Sequence, residues 1–194
     1  MATYVAFLRA VNVGGHARVR MADLVDACAG AGCPGVRTYI ASGNVVFDAP
    51  ANGAKAVCEK IRGAVRRLVG DDACVVIRSL RELDDLIAKA PFNTLERNAT
   101  LKLCVTFLAD KTRVRPKLPL RSSKEAVDAI AMTDRDVFIV SRRKANGFYG
   151  FPNAFIEKEL GVPATSRNWS TVTQVAEFAR SRPVRSPRRS ERVP

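Results

Sequence analysis

The chain is poor in the residues that most often carry chemistry. It has one histidine, His16, one tryptophan, Trp169, and five cysteines, Cys28, Cys33, Cys58, Cys74 and Cys104, with no C-x-x-C spacing among them. A zinc centre draws on clustered Cys and His ligands, so no metal site is expected. A seryl nucleophile needs a base beside it, and His16 reads as a solvent-facing loop residue. Asp84 and Asp85 are adjacent on a helix, point apart, and make no acid and base pair. No apolar run approaches the roughly 20 residues that cross a bilayer, so no membrane partner is expected. The odd cysteine count, with a first strand entered by Thr3 and no signal segment, predicts a reducing cytoplasmic location. Most of these thiols fall among apolar neighbours, where a free Cys acts as a small hydrophobe.

What is present is ordinary globular material with an excess of cations. Hydrophobic residues make up 47% and charged residues 26% of 194 positions, enough to bury a core. The formal net charge is +13, and six arginines against one glutamate lie from Arg180 onward, so about five of the excess charges belong to the C-terminal end. The remaining excess, roughly eight, permits a phosphate or nucleic-acid partner without requiring one. Residues 181–194 are dominated by Pro, Ser and Arg and read as a basic disordered tail.

Hydrophobic spacing gives the element order. Tyr4 to Leu8 is a short apolar run bounded by Arg9 and a glycine loop, as for a strand. Met21, Leu24, Val25 and Cys28 recur at helical spacing until Gly30 and Gly32. Val36 to Ile40 and Asn44 to Phe47 flank Ser42-Gly43 and read as a hairpin. Val57, Ile61, Ala64, Val65 and Leu68 form the stripe of a second helix, and Cys74 to Arg78 reads as a strand.

Ser79 and Glu82 have capping-box spacing and open a short helix with Leu83, Leu86 and Ile87. Leu101 to Leu108 is the strongest strand. A helix expected after it is hard to place, because Pro116 and Pro119 interrupt the segment. Ala126 to Met132 and Val137 to Val140 read as a second hairpin. A helix follows Pro152 and stops at Gly161, residues 163–167 read as an edge strand, and Val172, Val175, Ala176 and Ala179 mark a last helix.

The order strand, helix, strand, strand, helix, strand over residues 3–79 thus recurs over 100–168. The fold class expected is α+β: tandem ferredoxin-like (βαββαβ) units with antiparallel sheets and a C-terminal helix. The expected division is 1–79 for the first unit, 80–180 for the second with its connecting and C-terminal helices, and 181–194 for the tail. Helices on one face of each sheet would leave the other face free for a ligand.

Three segments carry a resemblance: Phe7 to Gly15, Thr38 to Phe47, and Thr165 to Val172. Together they resemble the bacterial family called domain of unknown function 1697, over roughly residues 3–180. The resemblance implies two ferredoxin-like units and no particular activity. The family pattern often has a Gly, Ser and Lys stretch before the helix that here begins near Pro152. This chain reads Phe148-Tyr149-Gly150-Phe151-Pro152 there, and Arg142, Arg143 and Lys144 substitute for that lysine only if the loop folds back.

Arg9 to Gly15, with Asn12, Gly14 and Gly15, resembles a phosphate cradle followed by a helix start, although it lacks G-x-G-x-x-G and the Walker lysine. Its glycines equally suit a plain turn. Ser42, Gly43 and Asn44 have hairpin-turn chemistry. Arg167, Asn168 and Trp169 precede the last helix, where Asn168 can cap it and the guanidinium beside the indole can clamp an anionic or aromatic ligand. We expect Arg9, Asn12, Ser42, Asn44, Arg167 and Asn168 to converge between the two units. Arg142 to Tyr149 mixes cations and aromatics as single-strand binders do, yet its aromatics are expected in the core.

The expected function is binding of an anionic small molecule in a polar cleft between the units. The alternatives are nucleic-acid binding through basic sheet or loop surface, and a structural or oligomeric module, as monomer or homodimer. Catalysis is disfavoured because no proton-transfer pair emerges, and no cofactor is implied.

Overall fold

The computed structural model describes residues 1–9, 19–50, 52–70, 73–96 and 98–181. The expected cradle residues Asn12, Gly14 and Gly15, the loop residue His16, and nearly all of the basic tail lie outside the described residues.

The first half contains β1 (Ala2–Leu8), α1 (Met21–Gly30), β2 (Arg37–Tyr39), β3 (Asn44–Ala49), α2 (Ala54–Val69) and β4 (Val75–Ser79). Its strands form an antiparallel sheet in the order β2-β3-β1-β4. α3 (Leu80–Ala88) follows, opened by the expected capping box. The Ser79 hydroxyl accepts from the Glu82 amide at 3.2 Å, and the Glu82 carboxylate accepts from the Ser79 amide at 2.7 Å. Two orphan amides of the helix start are satisfied in this way.

The second half contains β5 (Leu101–Leu108), β6 (Leu120–Ser122), β7 (Val127–Met132), β8 (Asp136–Arg142), α4 (Asn153–Leu160), β9 (Ala164–Asn168) and α5 (Trp169–Arg180). The antiparallel order is β6-β7-β8-β5-β9. Here the expected repeat fails at one point. No helix occupies 109–119, and the chain instead runs extended into the short edge strand β6. Pro116 and Pro119 supply the reason, since each removes an amide that an α-helix would use.

The expectation of a free sheet face is also corrected. Along β1, Ala6 and Leu8 pack with α1 and α2, whereas Val5 and Phe7 face a second core shared with the other sheet. Along β5, Cys104 and Leu108 pack with Ile156 and Leu160 of α4, whereas Val105 and Phe107 enter that same shared core. Phe7 and Phe107 stack at 4.3 Å with 7° between their planes, among Leu83 and Leu86 of α3 and Val172, Val175 and Ala176 of α5. An aromatic pair of this kind adds about 1 kcal/mol beyond its buried area. The central strands are apolar on both faces, the pattern of a strand buried on both sides. The continuous runs Tyr4 to Leu8 and Val45 to Phe47 already carried that signal.

Among the described residues no helix is long and apolar enough to cross a membrane.

Candidate functional site: a cationic cleft beside an arginine clasp

Two arginines join the sheets, each from the last strand of its own half. Arg78 of β4 is 2% exposed. It reaches the other half, donating to the carbonyls of Leu108 at 3.0 Å and Arg135 at 2.7 Å and to the Asp136 carboxylate at 3.1 Å. Its guanidinium lies 5.5 Å from the centre of the Phe107 ring.

Arg167 of β9 makes the reciprocal contacts. It donates to the carbonyls of Leu8 at 2.7 Å, Ser42 at 3.0 Å and Gly43 at 3.1 Å, and to the side-chain oxygen of Asn44 at 2.7 Å. The hydroxyl of Thr165 and the carbonyl of Ser166 take its remaining N–H groups. Its guanidinium lies 5.6 Å from the centre of the Phe7 ring. Leu8 ends β1 as Leu108 ends β5, and Asn44 starts the strand after one hairpin turn as Asp136 does after the other.

The two clasps differ in charge. Burial pushes the Arg78 guanidinium down, and Asp136 opposes that shift. Burial pushes Arg167 down to about 10, and no carboxylate opposes it. Every acceptor described around Arg167 is neutral. Asn44, itself fully buried, is held in place by donating to the Tyr39 carbonyl at 3.1 Å and the Ser42 hydroxyl at 2.9 Å. The turn before it places Ile40 at φ +48° and Gly43 at φ +73°. Gly43 adopts this left-handed backbone freely, but Ile40, β-branched and exposed, is strained there.

The expected convergence is therefore partial. Ser42, Gly43, Asn44 and Arg167 meet directly. The Arg9 side chain instead pairs with Glu157 of α4. Asn168 holds the N-cap position of α5, but its side chain makes no capping bond, and its oxygen accepts from the Cys104 thiol at 3.5 Å. Burial pushes that thiol up to about 11, so it stays protonated as a donor at neutral pH. Trp169 points away, its ring 5.2 Å from Phe92 in the shared core.

Arg167 and Asn168 line a cleft of about 340 Å³ together with Lys102, Cys104, Ser166 and residues 147–152. Its lining contains two cationic residues, Lys102 and Arg167, and no carboxylate. The Lys102 amine sits 4.4 Å from the centre of the Tyr149 ring, and the Tyr149 hydroxyl donates to the Ala99 carbonyl at 2.9 Å. Two larger clefts carry acids: one of about 620 Å³ beside Trp169 includes Glu96, and one of about 460 Å³ includes Glu59 and Asp110.

Lys102, Phe148, Tyr149 and Phe151 were not among the expected site residues. The mixed run Arg142 to Tyr149 held part of the signal, but its aromatics were placed in the core. Phe148 of that run is instead 73% exposed, and Phe151, which lies beyond the run, is 58% exposed. The loop does fold back, with Arg143 bridged to Tyr149. Its cations are nonetheless engaged: Arg142 pairs with Asp128, Lys144 with Glu125, and Arg143 donates to the Gly147 carbonyl. Among the described residues no group of three or more His, Cys, Asp or Glu side chains could hold a metal ion.

Among the described residues, two antiparallel sheets and five helices, the last of them at the C-terminal end, define a mixed α+β protein. The chain belongs to the family described as protein of unknown function (DUF1697), whose family model matches residues 1–138. The segment Thr165 to Val172 lies beyond that match. A solved structure, that of the conserved bacterial protein SP0830 from Streptococcus pneumoniae, is similar with a TM-score of 0.58 at 18% identity, covering 92% of this chain and 98% of that one. At that identity the likeness concerns the fold. A search of curated proteins gave no match.

Proposed function

We propose that the protein binds an anionic small molecule in the cleft beside Arg167, and that it acts by binding rather than catalysis. One observation carries this reading: the two arginine clasps are alike in their carbonyl partners, yet only Arg78 has a carboxylate. Arg167 leaves a positive charge in a partly buried place, next to a cleft whose other cationic lining group is Lys102. An anion entering there gains from both cations, and no carboxylate is among the cleft's lining residues. Arg167 has its N–H groups committed and supplies charge, while the exposed Lys102 amine is the available donor. No described side chain in the cleft is placed as a general base, which supports binding over proton transfer.

The same reciprocity supports reading the halves, 1–79 and 80–180, as two ferredoxin-like units, the second with its first helix replaced by β6. In that reading each unit spends its second face on the other, and a ligand is confined to the edges.

Thermal melting of the full chain in inorganic pyrophosphate, against sodium chloride at equal ionic strength, tests the proposal. A site at tenfold saturation raises Tm by about 3 to 5 °C. Asn44→Asp supplies Arg167 with a carboxylate and is expected to cancel that rise. Equal melting in pyrophosphate and chloride would sink the reading, and so would a pyrophosphate effect that survives Asn44→Asp and Lys102→Gln together.

A further inference from the structure

We infer that the ligand of this cleft joins a flat aromatic ring to its anionic group, in the manner of a nucleoside monophosphate. This rests on the anion-binding reading above and adds the ring. Phe148 and Phe151 are the most exposed phenylalanines described, and both line the cleft. Exposed large apolar side chains gathered at one polar cleft are informative in a way that a scattered Leu is not.

Their placement is rigid. The Lys144 amide donates to the Phe148 carbonyl at 2.7 Å, the Gly147 amide to the Lys144 carbonyl at 2.9 Å, and the Phe148 amide to the Asn146 side chain at 3.1 Å. Between the two rings, Gly150 is pinned against the preceding hairpin. A Cβ there would lie 1.7 Å from the Glu125 carbonyl oxygen, and the Ser141 hydroxyl donates to the Gly150 carbonyl at 2.6 Å. The loop therefore cannot swing to bury its rings without breaking these bonds. Holding two aromatic faces in water costs hydrophobic free energy that a stacked ring would recover.

Charge and size agree. The Lys102 amine lies over Tyr149, the residue between Phe148 and Gly150, so the cationic and aromatic elements are one loop apart. About 340 Å³ sits at the small end of ligand clefts, which suits a single ring with one anionic group. Every base has a π-face, so this arrangement specifies a ring without specifying which base.

The test is a calorimetric titration of the full chain with AMP, ribose 5-phosphate, adenosine and an eight-nucleotide single-stranded DNA, repeated with Phe148→Ala/Phe151→Ala. AMP is expected to bind roughly tenfold or more tightly than ribose 5-phosphate, and the double substitution to bring that ratio near one. Equal affinities in the wild-type chain, or a ratio that the double substitution leaves intact, would overturn the ring while the anion site stood. Failure of both phosphates to bind would remove the anion site and the ring together. Binding of the oligonucleotide far more tightly than AMP, with a steep loss on added salt, would replace the small ligand with a nucleic-acid strand.

Discussion

Arg78 and Arg167 do the same mechanical work from opposite ends of the molecule. Each leaves the last strand of its half, crosses to the end of the other half's first strand, and fastens the hairpin turn beside it. Asp136 completes one clasp; Asn44 stands in the corresponding place of the other. A buried guanidinium with a carboxylate and the carbonyls of Ile77, Leu108 and Arg135 satisfies both its charge and its N–H geometry. A guanidinium with neutral acceptors alone satisfies only the geometry. The first clasp is a closed structural joint, and the second holds the sheets equally well while leaving charge for something else to balance.

The sharpest way to break the comparison is to remove the cations in turn. Arg78→Met leaves Asp136 largely buried without its partner and should cost about 3 to 5 kcal/mol of unfolding free energy. Arg167→Met removes a charge that no carboxylate balances and strands only neutral acceptors, so its cost should be lower, about 1 to 3 kcal/mol. Urea unfolding of both variants measures this. Equal losses would mean that the carboxylate contributes nothing and that the asymmetry carries no functional weight.

A smaller effect compares the two outer cores. Burial pushes Cys28 of α1 and Cys104 of β5 each up to about 11. In the unfolded chain a thiol ionises near 9, so between about pH 9 and 11 the unfolded state binds fewer protons and stability falls as pH rises. At pH 10 each thiol should withdraw about 1 kcal/mol relative to pH 8. Cys28→Ala and Cys104→Ala should each lessen the alkaline loss by that amount, in urea melts at the two pH values. A loss unchanged by either substitution would show that the burial of these thiols does not govern it.

Much of the fold could be read from the chain. The capping box at Ser79, the αL stop at Gly161, at φ +68°, and the stripe Val172, Val175, Ala176 and Ala179 all lie where local chemistry puts them. The prolines that made a helix after β5 hard to place do exclude it. The site was less legible. Ser42, Asn44 and Arg167 were expected together and do meet, with Gly43 beside them, but as a joint between sheets. Asn168 and Trp169, adjacent in sequence, part company because alternate residues at a strand end face opposite ways. Lys102 lies within the strand expected from Leu101 to Leu108 and was not singled out, since nothing local shows what a strand's outer face will border.

The sequence by itself determined the element order outside residues 109–122, the helix ends, the doubled apolar strands and the excess of positive charge, because each follows from spacing and backbone chemistry within a few residues. Only the tertiary structure decided that the two sheets cover each other, that Arg167 faces Asn44 where Arg78 faces Asp136, and that Phe148 and Phe151 stay in water beside Lys102. Those outcomes depend on which distant surfaces meet, and a carboxylate present at one seam and missing from the other can be recognised only when both seams are in view.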